Sequence, residues 1–169
     1  WMGVAKDITD LRATQQHLLT TQNELKAKQE QLALALVCSN VGMWDWLIED
    51  KVVHFSDTWF GMLGYAPGEL PQTVETWKQL LHPEDVASTM AELQPHLKGL
   101  APTYRAEFRC RHKDGHWVWI LAAGRVVARD QDGNPLRVIG THVNITQFKN
   151  TALALDEAKI AAEAGTQAK

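Results

Sequence analysis

The sequence predicts an α+β fold: a five-stranded antiparallel sheet with short helices on one face, flanked by long N-terminal and C-terminal helices. Three observations predict it. Residues 10–37 contain no Pro or Gly and carry Leu11, Leu18, Leu25 and Leu32 at intervals of seven. Tyr104, Ala106, Phe108 and Cys110 alternate with Arg105, Glu107, Arg109 and Arg111, the period of two of a half-buried strand. Two strand-like runs come first, then short helical stretches, then three strand-like runs joined by hairpin turns, an order that favours an antiparallel sheet with its helices to one side.

Residues 1–9 hold the phrase Gly3…Ile8-Thr9, which returns as Gly140…Ile145-Thr146. A repeat at that distance is domain-sized. Each copy is expected to close a domain with a strand and hand over to a helix, so residues 1–9 are read as the last strand of a preceding domain. Residues 10–38 follow as a coiled-coil linker helix, because a sustained heptad argues for paired helices. Its seam is Leu11, Leu18, Leu25 and Leu32, with Leu36 adding a partner position, while Gln15, Gln22 and Gln29 make the other seam row polar. The alternative is a long amphipathic helix packed on its own domain.

In the central domain, residues 39–146, Met43–Ile48 and Val52–Phe55 read as strands around Glu49-Asp50-Lys51. Ser56-Asp57 can cap a short helix through Leu63. Gly64 to Gly68 is a break. Thr73 to Leu81 reads as helix, and so does Glu84 to Leu97, which Pro95 is expected to end early. Lys113-Asp114-Gly115 is a hairpin turn, His116 to Ala128 a long strand, and Asp132-Gly133-Asn134 the centre of the next turn. Pro135 to Ile145 closes the sheet, and residues 147–169 form an exit helix.

At 169 residues the chain suits one domain with extensions. A net charge of −3 gives no general affinity for nucleic acid or an anionic membrane. Cys38 and Cys110 form no CxxC pattern, which suggests a reducing, cytoplasmic setting. The apolar runs Leu32–Cys38 and Trp117–Ala123 are too short to span a bilayer, so no membrane contact is expected of this segment. No catalytic constellation and no phosphate-binding loop is visible, so no enzymatic activity is expected within the chain. His112 and His116 flank the Lys-Asp-Gly turn and could face each other, but no further ligand is apparent and no metal is expected. The Trp residues suit core packing; Trp46, Trp59, Trp77, Phe108 and Trp119 are the candidates to line a pocket.

From Gly42 to Thr146 the chain resembles a bacterial PAS domain. The resemblance rests on Trp44-Asp45-Trp46, Phe55-Ser56-Asp57 with Trp59, Met62-Leu63-Gly64-Tyr65, His82-Pro83-Glu84-Asp85, Lys113-Asp114-Gly115 before Trp117-Val118-Trp119, and Gly140…Ile145-Thr146. It implies that the flanking helices carry signals, that residues 1–9 end a preceding PAS domain, and that Asp7 and Thr9, and likewise Asn144, Ile145 and Thr146, couple sheet to helix. The family's strand usually ends Asp-Ile-Thr, so Asn144 replaces an acid: it can hydrogen-bond but cannot form an ion pair. Residues 158–169 are similar to the helix entering the phosphoacceptor domain of sensor histidine kinases.

The heptad implies a homodimer through the flanking helices, and the resemblance implies neighbouring PAS and output domains in the same chain and an interior able to hold a small-molecule ligand. The motifs of flavin photosensors and redox flavin domains are missing. His96 is the nearest counterpart to a haem ligand, and it sits beside Pro95 at a helix end. No cofactor is therefore favoured. The expected function is a sensor or relay domain of a signal-transduction protein, a histidine kinase being the first choice. The alternatives are a ligand-free dimerisation spacer, or the input of a diguanylate cyclase or chemoreceptor.

Overall fold

The computed structural model describes residues 2–167 and divides into two units between Ser39 and Asn40. The first unit is a single helix, α1 (Met2–Cys38), about 55 Å long at a rise of about 1.5 Å per residue.

Residues 2–9 belong to α1, which corrects the expected strand. A strand with no neighbour leaves backbone N–H and C=O groups unpaired, whereas a helix closes them within the segment. Thr9, expected at a strand end, instead donates its hydroxyl to the Ala5 carbonyl at 2.9 Å, and Asp7 is exposed on the same helix. The correction lengthens the heptad. Val4 falls in line with Leu11, Leu18, Leu25 and Leu32, and Ile8 heads the row of Gln15, Gln22 and Gln29. Val4 and the four leucines are between 56% and 65% exposed, so this row is left uncovered by its own chain. The side chain of Leu36 lies outside the described ones.

The second unit contains β1 (Val41–Leu47), β2 (Val52–Phe55), α2 (Asp57–Met62), α3 (Val74–Leu80), a 3-10 turn (Pro83–Asp85), α4 (Val86–Leu97), β3 (Tyr104–Arg111), β4 (Trp117–Arg129), β5 (Pro135–Asn144) and α5 (Thr146–Gln167). The five strands form one sheet in the order β2-β1-β5-β4-β3, every neighbour antiparallel. Ser56 and Thr73 cap α2 and α3, their side-chain oxygens accepting the N–H of Trp59 and Thr76.

Pro95 does not end α4 early. It sits in the last turn, and the carbonyl its missing N–H would have served belongs to the exposed Ala91. Beyond it the end is closed by Lys98 N–H to Gln94 O (3.1 Å) and Leu100 N–H to Pro95 O (2.9 Å). Arg129 donates to the carbonyls of His96 and Leu97 at 3.1 and 2.8 Å.

The core lies between the helices and one face of the sheet. Tyr104, Ala106, Phe108 and Cys110 of β3, Val118, Ile120 and Ala122 of β4 and Val138 of β5 are buried. The indole of Trp44 lies over two paired glycines, Gly124 and Gly140. A Cβ at Gly124 would come within 2.6 Å of the indole, and one at Gly140 would overlap it. These two positions are glycine because an aromatic ring occupies the space a side chain would take.

Candidate functional site

Two features of the second unit bear on function: an interior cavity and a clasp joining the sheet to α5. The cavity holds about 30 Å³ and is lined by Trp44, Trp46, Val53, Phe55, Val74, Trp77, Leu93, Tyr104 and His142. That is room for about two water molecules. Its walls are apolar, yet Trp44 Nε1, Trp77 Nε1 and the Tyr104 hydroxyl are buried with no partner among the described residues. Burial pushes the Tyr104 phenol well above its ordinary range, so it stays a neutral hydroxyl. No charged side chain lines the cavity. The chemistry offered is that of hydrogen-bond donors in an apolar shell.

His142 is the polar anchor of this interior. Its Nδ1 accepts the Trp59 indole N–H at 2.8 Å, which places its proton on Nε2. Trp44, Trp59 and Phe108 surround its ring. Burial pulls its pKa down to about 3, so the imidazole is neutral at physiological pH. His142 was not among the residues the sequence pointed to. The available signal was strand parity: it lies four residues from the buried Val138, on the same face.

Of the pocket candidates, Trp46 and Trp77 line the cavity. Trp59 and Phe108 are buried core residues that do not line it: Trp59 stacks on Phe55 with centroids 3.8 Å apart, and Phe108 meets Trp77 edge-on at 5.7 Å. Trp119 is a correction. It alternates with the buried Val118 and Ile120, so it points to the opposite, outer face of the sheet. His96 is buried with both ring nitrogens engaged. Nε2 accepts the Val126 N–H at 3.0 Å, so Nδ1 is the donor to Ala101 O at 2.8 Å.

On the outer face Trp119 forms the clasp. Its backbone N–H donates to Thr146 Oγ1 at 3.0 Å, and its carbonyl accepts the Ile145 N–H at 2.9 Å. Asn144 Oδ1 accepts from the Thr146 N–H at 3.0 Å and from its hydroxyl at 2.7 Å. The residues expected to couple sheet and helix, Asn144, Ile145 and Thr146, thus sit together at the start of α5, each tied to β4 directly or through Thr146. The ionic part of the contact lies elsewhere: Lys149 pairs with Glu107 of β3 at 2.6 Å. Lys149 and Arg109 both lie over the Trp119 ring, at 4.8 and 5.2 Å.

Arg109 carries the connection onward. Its backbone N–H and Nε donate to Asp85 Oδ2 at 2.8 and 2.9 Å, and Nη2 donates to Asp85 Oδ1 at 2.8 Å. This arginine holds the Asp85 carboxyl below the usual carboxylate range. The start of α4, the outer sheet face and the start of α5 are therefore joined by one run of contacts. Sequence reasoning missed Glu107, Arg109, Lys149 and Asp85 as its members, although the first two sit on the outward parity of β3.

The comparisons with known proteins agree with this architecture. The sequence model of the family described as PAS fold matches residues 52–142, more than half of the chain. A sensory box histidine kinase/response regulator from Burkholderia thailandensis is 28% identical, with a TM-score of 0.68 over 79% of this chain and 98% of that one. The N-terminal domain of a diguanylate cyclase with PAS/PAC sensor from Marinobacter aquaeolei is 25% identical, with a TM-score of 0.57 over 64% of this chain and 98% of that one. The probable diguanylate cyclase DgcE of Escherichia coli is 25% identical over 91% of this chain, which spans only 13% of its length. The matched sequence model spans more than half of the chain and the overall folds superpose, and the chain belongs to the PAS-fold family, as a sensor domain of the bacterial type.

Proposed function

We propose that this segment is a relay. A change in the PAS interior, or in a domain that precedes it, alters the seating of α5 on the sheet, and paired helices of two copies carry that change to an output domain. The observation that carries this reading is the clasp. Thr146 at the head of α5 is bonded to a β4 residue whose neighbours Val118 and Ile120 form the buried core, so a shift in β4 moves the start of α5. The uncovered heptad of α1 and the exposed Phe148, Leu153 and Ile160 of α5 suit burial against a second copy.

The catalytic activity belongs to the output domain and not to this segment. Relatives of both histidine kinase and diguanylate cyclase name support an output of one of these two classes. The resemblance of residues 158–169 to a kinase entry helix favours the first. No helix among the described residues is long and apolar enough to cross a membrane. A second reading, a spacer with no ligand of its own, is favoured by the size of the cavity, since about 30 Å³ admits water and excludes a metabolite at this packing.

Thr146→Val tests the relay reading. It keeps the shape of the side chain and removes the acceptor of the Trp119 N–H and the donor to Asn144. The loss is about 1 kcal/mol, so amide exchange in the first turns of α5 should rise several-fold while the strands keep their protection. Unchanged exchange in α5 would mean that the clasp does not hold the helix to the sheet.

A further inference from the structure

At the tip of the β3–β4 hairpin, three side chains with metal-binding atoms converge. His112, Asp114 and His116 alternate around the turn, each able to place one ligand atom within 4.8 Å of the others. The turn is pinned by the His112 N–H to His116 O bond at 2.8 Å and the Gly115 N–H to His112 O bond at 2.9 Å. Gly115 takes the φ of 104° that the tight turn requires. The two imidazoles stack with centroids 4.3 Å apart and planes within 20°. Both direct Nδ1 at the same carboxylate oxygen: His112 Nδ1 is 3.0 Å from Asp114 Oδ1, and His116 Nδ1 is hydrogen-bonded to it.

The group is also seated. The His112 ring lies against Gly64, where a Cβ would overlap it and where φ is 79°. Lys113 N–H donates to Leu63 O at 2.9 Å, tying the turn to the end of α2. Lys113, within the turn, is engaged elsewhere, since its Nζ pairs with Glu69 and lies 5.9 Å from the centre of the Tyr65 ring.

We infer that His112, Asp114 and His116 form a binding site for a divalent transition-metal ion of the zinc type. Two imidazole nitrogens and one carboxylate oxygen suit such an ion, whereas magnesium and calcium take oxygen ligands almost throughout. The ion takes Nδ1 of each ring and one oxygen of Asp114, replacing the hydrogen bond that joins His116 to that carboxylate. Ligands about 2.0–2.1 Å from a tetrahedral ion stand about 3.3 Å apart, farther than the Asp114 oxygen stands from His112 Nδ1 at 3.0 Å, so the carboxylate must withdraw slightly, as an exposed side chain on a turn can. The Asp114 N–H, at 3.2 Å from His112 Nδ1, gives up that long bond. Three protein ligands leave a fourth position to water or to a donor from another molecule. Asp114 is the ligand that the paired histidines lacked in the sequence, where it reads only as a turn residue.

The test is calorimetric titration of the metal-free protein with zinc chloride, with magnesium chloride as control and histidine NMR in parallel. Expected are one zinc bound per chain, no heat from magnesium, and joint shifts of the His112 and His116 ring signals. His116→Ala and Asp114→Asn should each weaken zinc binding by more than about tenfold with unchanged circular dichroism. Asn is as acceptable to the turn as Asp, which guards against loss of fold. Absence of zinc binding, or binding that persists undiminished in a His112→Ala/His116→Ala double variant, would overturn the site.

Discussion

Gly140→Ala should destabilise the PAS unit by about 1–3 kcal/mol, the usual range for overpacking a filled core. The added Cβ would overlap both the Trp44 indole and the backbone carbonyl of Ala123. The carbonyl belongs to the neighbouring strand and cannot yield without moving the ladder, in which Gly140 pairs with Gly124 and Ala123 with Thr141. Urea unfolding reads the effect as a lowered midpoint at unchanged slope. Trp44→Leu removes most of the overlapping ring, so the Gly140→Ala and Trp44→Leu losses should be less than additive. Full stability of Gly140→Ala would show that the glycine does not serve to seat the indole.

The second large effect is acid sensitivity set by His142. Its pKa is near 6.5 in the unfolded chain and about 3 in the fold. Between those values the unfolded chain binds a proton that the folded chain refuses, so stability falls as the pH drops from about 6.5 toward 3. One such proton is worth about 1.4 kcal/mol per pH unit. Carboxylates such as Asp85 add their own loss at the lower end of this window, so the diagnostic quantity is the difference from a variant. His142→Gln keeps an acceptor for the Trp59 N–H and has no imidazole to protonate. The wild type should lose stability between pH 6.5 and 5 much more steeply than His142→Gln. Parallel pH profiles would mean that His142 accepts a proton within the fold.

The sheet was legible in the sequence because alternation is a local signal. β3 announces its inward residues one by one, and Ser56 and Thr73 mark helix starts through their side-chain oxygens. Residues 2–9 were misread because Gly3 to Thr9 looks like a strand only where a neighbouring strand receives it, and no residue within the phrase reports that partner. Trp119 was misplaced because its aromatic character suggested burial. The turn centred on Asp114 sets Trp119 opposite Arg109, and cross-strand partners share a face, so an outward arginine implied an outward tryptophan. The setting of His142 and of the Gly124–Gly140 platform depends on which strands lie side by side: β4 and β5 form a hairpin, but the β1–β5 pairing that brings Trp44 onto them joins segments far apart in sequence. The clasp was half legible: Asn144, Ile145 and Thr146 stand in a phrase, whereas Glu107 and Lys149 meet only after folding.

In the relay proposed above, two copies act together through their flanking helices. Sedimentation equilibrium of the 169-residue chain, compared with Leu25→Asp, is the decisive experiment for this pairing. Leu25 lies mid-row on an uncovered helix in a unit separate from the sheet, so a buried carboxylate there should break the pair and leave the PAS unit folded. Expected are twice the chain mass for the wild type, the single-chain mass for Leu25→Asp, and the same near-ultraviolet circular dichroism for both. A wild-type chain that sediments as a monomer, or a dimer that Leu25→Asp leaves intact, would rule out signalling through paired flanking helices.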